Sequence, residues 1–189
     1  MGRLLTFASL MDSGATRLGR ASAWLIVVLI LVIMTDVTLR RWFVIGSTKL
    51  QELEWHLHGA LFLLALGRAY TRDAHVRIEL ASERFSPRGK AWVELAGCCL
   101  FLLPYVAAVI WFGIDYVGYS LEYDEASPSA TGLPHRWIIK AAIPIGFLTL
   151  GMAALSKLIH ASVFLFGQEK FAHQTSFGRM AKSVGGTHD

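Results

Sequence analysis

Four long apolar stretches, at about 22–44, 50–70, 91–119 and 137–167, dominate the chain and leave nothing longer than a loop between them. A bilayer's hydrocarbon core is ~30 Å thick and takes about 20 helical residues to cross, so each stretch is long enough to span it. Backbone donors and acceptors find no water at that depth, which restricts spanning segments to helices or closed barrels, and runs of this length mean helices. The predicted fold is all-α: an integral membrane protein with four transmembrane helices. Residues 1–170 form a single four-helix domain, and 171–189 a polar, basic tail. Composition agrees, with 54% apolar and 17% charged residues against roughly 45–50% and 25% in an average soluble domain.

A net charge of +4 would suit a nucleic-acid binder, but the basic residues sit in short clusters between apolar runs, so a nucleic-acid partner is not expected. Counting Lys and Arg in the short loops gives orientation. Arg3, Arg17, Arg20, Arg68, Arg72, Arg77, Arg84, Arg88, Lys90, Lys170, Arg179 and Lys182 fall on one side; Arg40, Arg41, Lys49, Arg136 and Lys140 fall on the other. The richer side faces the cytoplasm, which places both termini and the 71–90 loop there and turns Glu122, Asp124 and Glu125 outward. The first span runs through Asp36 to Leu39 without a small-residue cleavage site, and reads as a retained signal anchor.

Spans three and four exceed the core thickness and are expected to tilt or project. Pro104 and Pro144 each remove a backbone donor, so kinks are expected near them. Ala142, Gly146 and Ala153 mark a small-residue face on the fourth span, where another helix can approach closely. Cys98 and Cys99, the only cysteines, are adjacent in an apolar run and read as packing residues. Segment 76–86 has a partly apolar helical face suited to the membrane surface, a solvated loop being the alternative.

The second span is the anomalous one. It opens QELEWHLH, and its uninterrupted apolar part, Gly59 to Gly67, is only nine residues long. Ionisable groups at membrane depth cost about 2.5–3.5 kcal/mol each on insertion scales unless they face protein, water or one another. Helical spacing sets Glu52 over His56 and Glu54 over His58, on two different faces, so at least one face is expected to meet another helix or a partner. Asp36 and Arg40, also four apart, form a local pair that anchors the end of the first span or docks a partner.

Catalytic and cofactor signatures are missing. A haem held across a bundle needs histidines on different helices at similar depth, and His56, His58, His75, His135 and His160 are not so placed. There is no HExxH, paired-cysteine metal motif, P-loop, GxSxG or glycine-rich phosphate loop. An enzyme is not expected, nor a metal site, and four spans enclose little for a stand-alone carrier. A subunit of something larger fits better.

Several runs carry a family resemblance: DVTLRRWF after the first span, LQELEWHLHGALFLLALGRAY in the second, DAHVRIEL after it, and GLPHRWIIKAAIPIGF opening the fourth. In order and spacing, over about residues 20–160, they resemble the small, DctQ-like membrane subunit of tripartite ATP-independent periplasmic (TRAP) transporters. The resemblance implies a scaffold in the bacterial cytoplasmic membrane that steadies a large polytopic elevator subunit, with a periplasmic binding protein delivering organic acids. Sodium coupling would belong to the large subunit, leaving this chain without a cofactor. Carried over by position, Gln51, Glu52, Glu54 and Trp55 fall at an acidic, aromatic helix start, and Asp73, His75 and Arg77 at a cytoplasmic turn. His56 and His58, denser than the family usually shows, are grouped with that helix start as partner-facing, together with Asp36 and Arg40. Glu122, Asp124, Glu125 and Arg136 would offer the binding protein charged groups at the periplasmic face. The rival from another class is a haem- or quinone-linked membrane anchor of a redox complex.

Overall fold

The computed structural model describes residues 2–72 and 86–167, together with 173, 175, 177 and 178. Within these residues the regular structure is helical: α1 (Gly2–Ala23), α2 (Leu25–Trp42), α3 (Thr48–Thr71), α4 (Pro87–Gly97), α5 (Leu103–Glu122) and α6 (Trp137–Phe166). The four expected stretches correspond to α2, α3, α4–α5 and α6. Among the described residues, three rods are long and apolar enough to cross a membrane: Gly2–Trp42, Pro87–Glu122 and Trp137–Phe166. α3 falls short of that standard because its first turns carry QELEWHLH. The predicted surface segment 76–86 falls almost wholly outside the described residues, as do Asp73, His75 and Arg77.

α1 was not among the expected helices. It runs into α2 with only Trp24 between them, whose N–H reaches back to Ala21 O at 3.1 Å. Its buried residues Ala8, Ala15, Gly19 and Ser22 line one stripe. Small side chains there let α1 settle against α3 and α6, and a Cβ on Gly19 would strike the Arg68 side chain.

α6 is the central rod, with α3 on one side and α4–α5 on the other, while α2 packs chiefly against α3. The closest crossing joins α3 and α6. A Cβ on Gly67 would stand 2.6 Å from Thr149 O, and one on Gly146 would run into the Leu63 carbonyl. The expected small-residue face is that crossing: Ala142, Gly146 and Ala153 are all buried.

The two prolines act differently. Ahead of Pro104 the chain makes a π-helical turn, Cys98–Leu102, in which Leu103 N–H bonds Cys98 O, a five-residue step. The wider turn absorbs the clash a proline ring makes with the preceding carbonyl. Pro144 sits within α6, which continues unbroken from Trp137 to Phe166.

Two ends of this bundle are distinguished below. The loop end holds the start of α3, the end of α5 and the loop at 123–136. The α1 end holds α1, α4 and the second half of α6, where Ala91 and Ala161 form a small core with Phe177.

Candidate functional site

At the loop end, Ser47 caps α3 by accepting Leu50 N–H at 3.4 Å, so the helix starts at Thr48. Glu52 lies in its second turn, near the positive end of the helix dipole. One carboxylate oxygen accepts the Ser127 hydroxyl, and the other accepts Leu133 N–H at 2.7 Å. Thr131 donates to Thr48 across the same gap at 3.3 Å. Gly132 is required for this fit, since a Cβ there would lie 2.8 Å from a Glu52 oxygen and closer still to Ser127. Glu52 thus ties the 127–133 loop to α3. The local pairing expected with His56 gives way to a hydroxyl and an amide brought in from 75 and 81 residues away. Glu54 and His58 likewise form no ion pair among the described residues.

The charged loop is largely occupied with itself. Lys140, buried in the first turn of α6, forms an ion pair with Glu125 and lies 3.7 Å from the Tyr116 ring centroid. The Lys140 ammonium holds the Glu125 carboxyl below the usual carboxylate range, with Arg136 adding to the effect. Asp124 meets His135 at 3.2 Å, and both residues adopt positive φ, 42° and 57°, where the chain reverses. Arg136 N–H closes the loop on Glu125 O at 3.0 Å. Of the four residues expected to face a binding protein, Glu122 and Asp124 are exposed, while Glu125 is turned to Lys140 and Arg136 is half-buried.

The other residues predicted to meet a partner separate by face. Gln51, Trp55 and His58 are exposed and, with Phe62, recur at intervals of four, three and four residues. That spacing is one continuous stripe on α3. Trp55 and Phe62 are each 65% exposed. Glu52, Glu54 and His56 are half-buried. Asp36 and Arg40 pair at 2.7 Å, and Asp36 is 5% exposed on the same side of α2 as buried Leu29.

Sequence reasoning missed a second polar group at the α1 end. Tyr70 donates to Glu94 at 2.5 Å and touches Cys98 Sγ at 3.1 Å, tying α3 to the α4–α5 rod where the π turn begins. Lys157 Nζ lies 5.7 Å from the Tyr70 ring centroid. Asp12 of α1 faces Ser156, Lys157 and His160 of α6. The available signal was Glu94 set four residues before Cys98, and an acid, Asp12, in a helix otherwise without one. No trio of His, Cys, Asp or Glu among the described residues is placed to hold a metal ion.

A helical membrane protein with a polar, aromatic face left open on α3 suggests a subunit, and a family comparison gives its kind. Residues 29–163, well over half of the chain, match the family described as Tripartite ATP-independent periplasmic transporters, DctQ component. The chain belongs to the DctQ family. A search of curated proteins gave no match. As a DctQ protein it is a membrane component of a TRAP transporter, and the family is one of transport components rather than enzymes. The DctQ match takes in α3 to α5 entire, α2 from Leu29 and α6 to Val163, and leaves α1 outside.

Proposed function

We propose that this chain is the small scaffold subunit of a sodium-driven TRAP transporter that takes up organic acids across the bacterial cytoplasmic membrane. In this reading it crosses the membrane four times with both termini in the cytoplasm, and steadies a large polytopic subunit that carries the substrate and sodium sites. The loop end then faces the periplasm, where Glu122 and Asp124, both exposed, would meet the binding protein.

The observation that carries the reading is the α3 stripe of Gln51, Trp55, His58 and Phe62. A histidine such as His58 on the open face of a membrane helix is costly against lipid and inexpensive against a protein that can hydrogen-bond to it. Trp55 and Phe62 add the large aromatic area typical of interface anchors. In this reading Glu52 serves the internal tie, since each of its oxygens accepts a hydrogen bond within the chain. Replacing Trp55 and His58 together with alanine is expected to lower recovery of the large subunit at least tenfold in co-purification, and uptake with it. Unchanged recovery and uptake would remove the stripe from the interface.

A further inference from the structure

We propose that the exposed face of α1 is a docking surface for anionic phospholipid headgroups. α1 and α2 together make a rod of 41 residues, about 60 Å long at 1.5 Å per residue, roughly twice what a ~30 Å core requires. The α1 half is therefore surplus to spanning.

Its two sides are chemically opposite. The side against α3 and α6 carries Ala8, Asp12, Ala15, Gly19 and Ser22, at steps of four, three, four and three. The other side carries Arg3, Phe7, Leu10, Arg17 and Trp24 in the same helical rhythm, with Arg20 beside them, and all six are exposed. Phe7, Leu10 and Trp24 are 51%, 65% and 73% exposed. Asp12, the sole acid in the helix, is turned inward, so no acid of α1 itself lies beside the arginines on the open side. None of the three arginines forms an ion pair among the described residues.

Arginine guanidinium groups match phosphate in two-pronged geometry. Phe, Leu and Trp between them suit the boundary of headgroup and acyl chain. A basic, aromatic helix face leading directly into an apolar span selects an anionic lipid surface, since its charge and its apolar residues are satisfied by one partner. Because α1 lies outside the matched stretch, the inference stands independently of the transporter reading.

The test uses the full-length chain purified in mild detergent, titrated with phosphatidylglycerol or phosphatidylcholine, and read by native mass spectrometry. The expected result is at least a tenfold preference for phosphatidylglycerol, lost in R3Q/R17Q/R20Q and kept in R41Q, with helical content unchanged in both. A triple variant that retains the preference would overturn the proposal, as would the absence of any preference in the parent chain. Displacement of the lipid by millimolar inorganic phosphate would mark a soluble-anion site and overturn it equally. So would loss of a co-purifying protein from the triple variant while its lipid preference persisted.

Discussion

Where α3 begins and the 123–136 loop returns to α6, helices are joined by charge and hydrogen bonds: Glu52 to Ser127 and Leu133, Lys140 to Glu125, Asp124 to His135. Deeper along the same rods they are joined by the near absence of side chains, with Gly67 against Thr149, Gly146 against Leu63 and Gly19 against Arg68. The first kind of join holds a loop in one shape at a wet boundary. The second sets the spacing of rods that have no hydrophobic drive to associate in lipid, where close packing must serve instead. Among the described residues, polar contacts reappear toward the α1 end in partly buried groups, such as Tyr70 with Glu94 and Cys98.

On that division, the largest loss comes from crowding the glycine crossing. Gly67→Val puts a branched side chain where a single Cβ already meets a backbone oxygen at 2.6 Å, and is expected to cost about 3 kcal/mol. Thermal unfolding in detergent should show a fall of roughly 10 °C in midpoint, while Gly46→Ala, with open space around it, should show none. Equal effects at the two positions would break the comparison.

Removing a polar tie at the α1 end comes next. Tyr70→Phe keeps the ring and deletes the hydroxyl that donates to Glu94, at a cost of about 1–2 kcal/mol, read from the same thermal midpoint. Glu52→Ala at the loop end is expected to act locally: a midpoint shift of a few degrees, with cleavage by added protease near Ser129 rising several-fold. A global collapse in that variant would mean the loop tie supports the whole bundle.

The smallest effect is one of pH. Glu125 is held below the usual carboxylate range by Lys140. A carboxyl depressed by folding stabilises the fold above its ordinary titration range, and that contribution is lost as pH falls through the lowered value. Protease sensitivity of the loop should therefore increase on strong acidification in the parent chain. In E125Q it should already be raised at neutral pH and increase less on acidification, the remaining rise coming from the Glu52 tie to Ser127 and Leu133.

Much of the helical plan was legible because long apolar runs admit few alternatives. The face of Ala142, Gly146 and Ala153 could be read because small residues recurred on one side of an otherwise bulky span. α1 escaped the same logic: Ala8, Ala15, Gly19 and Ser22 alternate with arginine and serine, so their stripe carries little hydropathy signal, and Arg17 and Arg20 looked like the flank of the following span. At the loop end the residues were found but their partners were not. Helical spacing offers Glu52 a neighbour at His56, whereas its actual partners lie in a loop that only tertiary structure brings near. Spacing alone also could not tell that Gln51, Trp55 and His58 share an open face while Glu52 is turned away. Lys140 was read as an outer-loop charge, although its stem is buried in α6 and its ammonium reaches Glu125.

The most direct test of the open α3 face is photo-crosslinking in native membranes, with a photoreactive residue placed at His58 or Phe62 and, for comparison, at Trp111 on α5, which is 71% exposed. The account predicts that His58 and Phe62 link to one large polytopic protein while Trp111 links to lipid. Lipid adducts alone from both α3 positions, or a protein adduct confined to Trp111, would contradict it.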